Sequence, residues 1–407
     1  MQSLQENWNS GKKLIVYHTN WACYGRNFQV KDLPVNYISD INYSFLDLKP
    51  NAQGFYVPAF SDPWSDVDKR YGDPKESVQP LDHQQPANPG EYFGNLGQFM
   101  KLKRAGYKFN LGLSIGGWSF STHFSEAVAT PESRLAFVNA CMEILNRFPG
   151  LISRLDFDWE HISPPGANYG KEGNSTSPND GNSLFRLGPN FGMLLELLRN
   201  HLDHSPFSNV TITACVTGDP NAMSALPISV MGRVLESINI MSYDMACSSY
   251  GQCLAGHHTN LYSTHYSQMS IDQAVKKYIS LGIPREKIVI GAALYSRGFA
   301  NTDGLGKPSF GIVDDRSWED GVCDYKTLPR PGAAEYYDEA AQAHYSYDPN
   351  RRILNSYDSV RSIKAKCDYV WKEGLKGVIV WESAGDYPIS DPRSLLATLY
   401  HGLVNKP

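Results

Sequence analysis

Several features that would direct a protein to a membrane or to nucleic acid are missing from this chain of 407 residues. No run of apolar residues approaches the roughly 18 that a membrane-spanning helix needs. The polar segment 1–13 lacks the apolar region of a signal peptide. The net charge of −5 supplies no basic surface, so we expect neither nucleic acid nor a membrane as a partner.

Cysteine is sparse, and its spacing argues against the usual cysteine motifs. The seven cysteines contain no CxxC pair, so neither a zinc site nor a redox motif is expected. Cys141, Cys215 and Cys367 fall within predicted helices or strands and are interpreted as small core residues. Cys247 and Cys253 lie in a predicted loop, where they could close a disulfide or remain free thiols.

Eight short apolar runs recur along the sequence, and most of them are continuous rather than alternating. Continuous apolar runs are typical of parallel strands that are buried on both faces. We therefore predict eight strands of a parallel sheet. The runs are Leu14–Trp21, Ile38–Leu46, Phe109–Ile115, Leu151–Trp159, Val210–Thr217, Ile238–Tyr243, Ile288–Tyr295 and Gly377–Trp381.

Helical patterns separate several of these runs. In Glu132–Phe148 the apolar residues recur at steps of three and four, and Thr130 and Pro131 are suited to its cap and first position. Two further predicted helices, Ile271–Leu281 and Val360–Glu373, are each followed by a glycine. Eight strands that alternate with helices predict an α/β fold, a (β/α)8 TIM barrel, rather than a doubly wound sheet.

Three connections that follow strands are too long for simple loops: Asn51–Glu91, His161–Phe185 and Arg297–Asp358. Such loops gather at the carboxyl-terminal face of a barrel, where active sites lie. The third connection, between strands seven and eight, is long enough for a small inserted domain. The predicted organisation is a polar segment at 1–13, a catalytic barrel with strands 1–7 at 14–296, an insertion at 297–358, and strand eight with the C-terminal helix at 359–407.

The most informative residues form the fourth predicted strand, where acidic and apolar side chains alternate from Leu155 to Glu160. Alternation puts Asp156, Asp158 and Glu160 on one face and the apolar residues on the other. The apolar face suits packing against helices, so the acidic face must point into the barrel. Burying isolated charges is costly, and apolar residues would serve a purely structural role better.

Two functional interpretations explain these carboxylates. They could bind Mg²⁺ or Ca²⁺, which prefer oxygen ligands. Alternatively, they carry out acid/base chemistry, because crowded carboxylates hold at least one proton between them. We favour the second interpretation, with Glu160 at the carboxyl end of the strand as the proton donor, and we expect no metal and no cofactor.

At these residues the sequence resembles glycoside hydrolase family 18, the chitinases, whose strand-four motif is Asp-x-x-Asp-x-Asp-x-Glu. The resemblance spans nearly the whole chain, and residues 297–358 resemble the α+β insertion domain of one branch of the family. The other matching segments are Ser114–Trp118 on strand three, Met241–Asp244 on strand six, Tyr295–Phe299 after strand seven, Trp381 on strand eight and Cys23–Phe28 after strand one.

The resemblance implies a chitinase that hydrolyses β-1,4-linked N-acetylglucosamine in chitin and chitooligosaccharides. It implies a retaining, substrate-assisted reaction through an oxazolinium ion. Glu160 would act as acid and then as base, and Asp158 would turn between Asp156 and Glu160. Tyr243 would orient the acetamido group of the substrate. A secreted enzyme is expected, with a monomer as the default.

The resemblance also implies a set of residues around the substrate. Tyr17 and Ser114 would support the pair of Asp156 and Asp158 from below. The remaining substrate-binding residues would be Trp381 and Trp118 as stacking surfaces, Asp244 and Arg297 as contacts to neighbouring sugars, and Met241. Arg297 could instead pair within the insertion.

Three residues depart from the family pattern. Ser153 stands where the motif has its first Asp, Arg154 where a Gly is usual, and His161 where Tyr or Phe is common. In the family the first Asp is buried below the catalytic pair and helps to tune it, so its loss bears on the rate and the pH profile. The sequence does not indicate where the Arg154 side chain lies.

Two alternatives within the same family differ in function. One is a lectin-like member that binds chitin without cutting it, although such relatives usually lack the acid that Glu160 supplies. The other is an endo-β-N-acetylglucosaminidase acting on N-glycans, and the predicted insertion favours linear chitin over that substrate.

Overall fold

The structure, a computed structural model, describes residues 8, 10–79, 92–162, 184–247, 251–314 and 316–406. Its strands are β1 (Lys13–Thr19), β2 (Asp40–Pro50), β3 (Tyr56–Phe60), β4 (Asn110–Gly116), β5 (Arg154–Asp158), β6 (Thr211–Thr217), β7 (Ser237–Met241), β8 (Gln252–Leu254), β9 (Ile288–Ala293), β10 (Tyr295–Phe299), β11 (Pro308–Phe310), β12 (Val322–Asp324), β13 (Ala334–Asp338), β14 (Ala343–Asp348), β15 (Ile353–Tyr357) and β16 (Gly377–Trp381). Its α-helices are α1 (Gly94–Arg104), α2 (Phe124–Val128), α3 (Pro131–Arg147), α4 (Leu184–Asp203), α5 (Ile228–Val234), α6 (Ile271–Leu281), α7 (Val360–Lys372) and α8 (Leu395–Val404).

Eight parallel strands close into a barrel, as the sequence predicts. Around the barrel the strand order is β1-β2-β4-β5-β6-β7-β9-β16, and β1 completes the circle by pairing with both β2 and β16. Each predicted strand corresponds to one of these eight. Strand β2 extends beyond its predicted end because its last residues form an antiparallel hairpin with β3, which lies outside the barrel order.

The chain divides into two compact units. The first consists mainly of Tyr17–Val216 with Ala222–Ile238, and the second mainly of Asn239–Pro407. Strand β5 and its acidic residues belong to the first unit. The segments that follow β7, β9 and β16 belong to the second unit.

Helix ends follow the predicted capping signals. Helix α3 begins at Pro131, and the Thr130 hydroxyl accepts a hydrogen bond from the Ser133 amide at 3.1 Å. Helix α6 ends at Leu281 and is followed by Gly282, whose φ of 105° lies in the left-handed region that favours glycine. Helix α7 ends at Lys372, one residue before its predicted end.

The apolar face of β5 packs against the helix layer of the first unit, as expected from its alternation. The Phe157 ring stacks on Phe137 of α3, with the ring centroids 5.8 Å apart, and meets Phe191 of α4 edge-on. Trp159 stacks on Phe124 of α2 at 5.1 Å. These contacts fix which face of β5 is turned towards the helices, so the acidic face is turned inwards.

The predicted insertion contributes extra sheet strands to the second unit. A five-stranded antiparallel sheet has the order β12-β10-β15-β14-β13, and it begins at Tyr295, just before the predicted boundary. The described helical residues within 297–358 form a 3-10 turn at Tyr325–Thr327. A two-stranded sheet of β8 and β11 accompanies it. The domain boundaries themselves remain a prediction.

Some predictions concern cysteines and long connections. All seven cysteines are free thiols, including Cys247 and Cys253, while Cys141, Cys215 and Cys367 are buried as expected.

Most of the predicted insertion at 161–185 lies outside the described residues. In the part of the chain that the structure describes, no helix has the length and apolar character needed to cross a membrane.

Candidate active site

Asp156 lies at the centre of a buried group of hydroxyl donors. The Tyr17 and Ser114 hydroxyls donate to its Oδ2 at 2.6 and 2.8 Å, and the Thr213 hydroxyl donates to its Oδ1 at 2.5 Å. Ser114 and Thr213 reach it because they are its register partners on the neighbouring strands β4 and β6. Hydroxyl donors on three different strands therefore fix the position of the Asp156 carboxyl group.

Asp158 follows two residues later on the same face of β5, in a less polar position. It is buried, and its Oδ1 accepts no hydrogen bond from the described residues. Burial, followed by the negative charges of Glu160 and Asp156, raises the pKa of Asp158 well above its ordinary value. Asp158 is therefore the carboxyl of the group that is best placed to hold a proton.

Glu160 completes the acidic face and is the member that solvent can reach. Its side chain is 18% exposed, whereas the two aspartates are almost fully buried. Its backbone N–H donates to the Ser121 hydroxyl oxygen at 2.9 Å, and that hydroxyl lies 2.8 Å from the carbonyl oxygen of Gly117. Ser121 therefore fastens the end of β5 to the segment after β4.

Two glycines at the end of β4 are required by the close approach of neighbouring strands, β5 at Gly116 and β2 at Gly117. Gly116 and Gly117 have φ values of 105° and 78°, which favour glycine. A Cβ on Gly116 would lie 2.3 Å from the carbonyl oxygen of Asp158, and one on Gly117 would meet the ring of Phe45 at 2.5 Å. A larger residue at either position would therefore displace the neighbouring strand or ring.

His161, one of the departures from the family pattern, lies beside the proposed proton donor. Its Nε2 is 3.8 Å from Oε2 of Glu160. Burial lowers the pKa of His161 to about 4. The imidazole is therefore neutral at neutral pH and forms no ion pair with Glu160 there.

Arg154, whose position the sequence does not indicate, is buried inside the barrel. Its Nη2 donates to Oδ1 of Asp40 at 2.5 Å, and its Nη1 lies 3.4 Å from Oδ1 of Asn42. Ser153 contacts the backbone of β4, where its hydroxyl oxygen accepts from the Leu111 amide at 3.1 Å. The two replaced motif positions thus have different surroundings.

In the second unit, Asp244 is the centre of another group. The Tyr295 hydroxyl and the Arg297 Nε donate to Asp244 Oδ1 at 2.8 and 2.6 Å. The Asp244 amide donates to Nδ1 of His258 at 3.3 Å, and Asp244 has a φ of 58°, which is uncommon for a residue other than glycine. Arg297 also pairs with Glu319 of the insertion at 3.3 Å.

The electrostatics of this group favour an ionised Asp244. Burial alone would raise its pKa, but the neighbouring His258 and the hydrogen bond and positive charge of Arg297 outweigh burial and lower the pKa well below its usual range. Burial also lowers the pKa of His258, so that its imidazole is neutral. The result is a fixed carboxylate with oriented neighbours, an arrangement suited to binding sugar hydroxyls.

The other predicted substrate-binding residues lie near the carboxyl ends of barrel strands. The Tyr243 ring meets Tyr295 edge-on, with the centroids 6.2 Å apart. Met241 and Trp381 are the last residues of β7 and β16, and both are partly exposed. Trp118 begins a 3-10 turn after β4, and 56% of its surface is exposed.

Three residues with clear contacts in these groups are absent from the sequence-based set. They are Thr213, which donates to Asp156, Ser121, which holds the backbone of Glu160, and His258, which holds the backbone of Asp244. Thr213 sits in a predicted strand, but its partner depends on register between strands. Ser121 and His258 lie in loops, where the sequence carries no periodic signal.

Comparisons with known proteins identify the family. The sequence profile described as Glycosyl hydrolases family 18 matches residues 13–386. The chain belongs to glycoside hydrolase family 18. Endochitinase 1 of Metarhizium robertsii is 34% identical over 392 residues, covering 94% of this chain and 83% of the relative. Chitinase 1 of Aphanocladium album is 32% identical, covering 97% and 86%.

A solved family 18 fold is similar over almost the entire chain. The catalytic domain of psychrophilic chitinase B from Arthrobacter TAD20 superposes with a TM-score of 0.83 at 25% identity, covering 98% of this chain and 96% of that domain. Family membership, the barrel fold and the predicted enzyme class, a chitinase-type glycoside hydrolase, are confirmed.

Proposed function

We propose that this family 18 enzyme hydrolyses the β-1,4 linkages of chitin and chitooligosaccharides by a retaining, substrate-assisted reaction. The observation that carries the proposal is the acidic face of β5. Two buried aspartates there lead to the partly exposed Glu160. Family membership supports substrate assistance, because this family does not use a second carboxylate as the nucleophile. The names of the two fungal relatives support chitin as the substrate.

In the first step, Glu160 donates its proton to the glycosidic oxygen, and the carbonyl oxygen of the substrate's own acetamido group attacks the anomeric carbon. The bond to the leaving sugar breaks and an oxazolinium ion forms. Glu160, now a carboxylate, then takes a proton from water, which opens the ring with retained configuration. Glu160 is then protonated again, so each cycle consumes only the substrate and one water molecule.

The neighbouring residues are assigned supporting roles in this scheme. Asp158 has a raised pKa and is therefore assigned to hold a proton. It is also proposed to accept a hydrogen bond from the acetamido N–H of the substrate. Asp156 anchors Asp158 because hydroxyl donors hold it in place. Tyr243 is proposed to orient the acetamido oxygen, and Asp244 with Arg297 to bind a neighbouring sugar.

The contacts of Asp156 favour acid/base chemistry over the alternative of a metal site. Both of its oxygens accept hydrogen bonds from hydroxyl groups. A carboxylate that serves as a metal ligand directs an oxygen lone pair at the cation, and donors in those positions compete with that role. The extracellular location remains a prediction that fits a polymeric substrate.

The proposal is tested by Glu160→Gln, which keeps the size of the side chain and removes its acid function. Hydrolysis of N-acetylglucosamine hexamer, followed by chromatography, should fall by about 10²–10⁴-fold or more. Glu143→Gln, an exposed change on α3, is the matched control and should leave the rate unchanged. Near-parental turnover by the Glu160 variant contradicts the assignment.

Two substrate experiments separate the remaining possibilities. Cellohexaose lacks the acetamido group and should not be cleaved, so its cleavage contradicts substrate assistance. If the parent binds the N-acetylglucosamine hexamer but releases no shorter product, the chain is a lectin-like member of the family. Early products that are β-anomers by NMR are expected from the retaining reaction.

A further inference from the structure

A buried polar network in the second unit surrounds the peptide bond between Ser242 and Tyr243. Lys366 of α7 and Asp358 are fully buried, and Thr259 is almost so. Lys366 Nζ donates to the Thr259 hydroxyl oxygen at 2.7 Å and to Asp358 Oδ2 at 2.6 Å. It also donates to the carbonyl oxygen of Gly291 at 3.1 Å. These contacts use all three N–H donors of an ammonium group, so the lysine is held in one geometry.

Thr259 connects this lysine to the peptide bond that precedes Tyr243. Its hydroxyl donates to the carbonyl oxygen of Ser242 at 3.1 Å. A hydroxyl has one proton to donate, so the Thr259 oxygen acts as the acceptor in its contact with Lys366. The Ser242 carbonyl and the Tyr243 amide share one planar peptide group. Thr259 therefore holds the plane from which the Tyr243 side chain extends.

Gly291 of β9 contacts the same tyrosine from the side of its ring. A Cβ on Gly291 would lie 2.8 Å from Cδ1 of Tyr243, so the ring packs directly against the glycine backbone. The Gly291 amide donates to the Ser242 hydroxyl oxygen at 2.7 Å, and its carbonyl oxygen accepts from Lys366. Lys366 thus binds both the residue that contacts the ring and the hydroxyl that holds the peptide.

Asp358 fixes the lysine in this arrangement. Its Oδ2 also accepts from the Ala293 amide at 3.1 Å, and its Oδ1 accepts from the Ser362 hydroxyl at 2.7 Å. The carboxylate therefore connects the end of β9 to the first turn of α7. Because a buried charge that loses its partner is strongly destabilising, the network resists distortion.

We propose that Thr259, held by Lys366, is a positioning residue that fixes the peptide before Tyr243 and so directs this tyrosine towards the acetamido group of the substrate. The inference rests on the proposed function, which assigns that role to Tyr243. It deepens that function by giving a part in the reaction to two buried residues that contact no substrate in this scheme. A displacement of about 1 Å at an orienting group can lower a rate roughly 10²-fold, so a small movement of the peptide is sufficient.

The test is a double-variant cycle on the hydrolysis of N-acetylglucosamine hexamer, with Thr259→Val, Tyr243→Phe and the two combined. Thr259→Val keeps the branched shape and removes the hydroxyl, so kcat should fall about tenfold while KM changes less than about twofold. In the Tyr243→Phe background the same substitution should change kcat less than about twofold, because the hydroxyl that it positions is already absent. Thr259→Ser retains the hydroxyl and should keep the parental kcat.

Ser362→Ala is the matched control, because it weakens the network on the other side of Asp358. It should lower the melting temperature, measured by circular dichroism, and leave kcat unchanged. Effects of Thr259→Val and Tyr243→Phe that simply multiply would overturn the inference, since Thr259 would then support only the fold. A loss of kcat in Ser362→Ala equal to that in Thr259→Val would overturn it as well.

Lys366→Met combined with Asp358→Asn is the second variant, used if Thr259→Val does not fold. It removes both charges together, and its effect on kcat should likewise disappear in the Tyr243→Phe background. A parent that does not cleave the hexamer contradicts the proposed function, and a Tyr243→Phe variant with parental kcat contradicts the role assigned to Tyr243. An active parent and an impaired Tyr243→Phe variant, with multiplying effects of Thr259→Val, contradict this inference alone.

Discussion

Thr213→Val tests how much a single hydroxyl donor contributes to holding Asp156 in place. Valine keeps the branched shape of threonine and removes the hydroxyl that donates to Asp156 Oδ1 at 2.5 Å. Both side chains are fully buried, so water does not replace the lost donor. The two donors to Oδ2, from Tyr17 and Ser114, remain in place.

The expected cost follows from the chemistry of that hydrogen bond. A buried acceptor that is left without its donor costs about 1–3 kcal/mol. The free energy of unfolding at pH 7 should fall by this amount. If the same stabilisation is used in the reaction, kcat/KM should fall about 10–100-fold, since roughly 1.4 kcal/mol corresponds to a factor of ten.

Thr211→Val is the matched control on the same strand. Thr211 lies one row lower, and its hydroxyl reaches only the Ser153 carbonyl oxygen at 3.4 Å, which is a weak contact. Denaturant unfolding and hexamer hydrolysis should show a change below about 1 kcal/mol for this variant. Equal effects of the two substitutions would refute the reasoning, because they would then report only the loss of a threonine hydroxyl on β6.

Three further predictions concern other polar groups. His258→Phe retains an aromatic ring but loses the acceptor for the Asp244 amide, so KM for the hexamer should rise several-fold with little change in kcat. Lys366→Met breaks a buried ion pair with Asp358 at 2.6 Å and should lower the unfolding free energy by about 3–5 kcal/mol, less when Asp358→Asn is added. Burial raises the pKa of Asp66 to about 6, so the folded chain keeps a proton that the unfolded chain loses, and stability should fall as pH rises from about 4 to 6. Asp66→Asn should remove that fall, and titration of the unfolding free energy against pH measures it.

The sequence predicts the barrel well because its evidence is local. Continuous apolar runs predict buried parallel strands, and the cap at Thr130 and the glycine at 282 predict where helices begin and end. The acidic face of β5 is predictable for the same reason, since alternation along one strand fixes which side chains share a face.

The supporting contacts are not predictable in this way, because they depend on register between strands that are distant in sequence. Asp156 and Thr213 are partners across β5 and β6, and Arg154 meets Asp40 across more than a hundred positions of the chain. A one-residue shift in register would turn every one of these side chains to the other face. Strand order and register, rather than residue type, therefore decide which polar groups support the carboxylates.

Ser153 and Arg154, the two residues that depart from the family motif on this strand, differ in what their side chains contact. Ser153 and Arg154 are adjacent, so alternation turns their side chains to opposite faces. Ser153 makes its contacts with the backbone of β4, where its hydroxyl accepts a hydrogen bond from the Leu111 amide. Arg154 faces inwards, where a charge must be compensated, and Asp40 and Gly112 meet that requirement with a partner and with space. The two neighbouring positions therefore carry a hydroxyl that bonds the backbone of β4 and a buried cation whose charge Asp40 compensates.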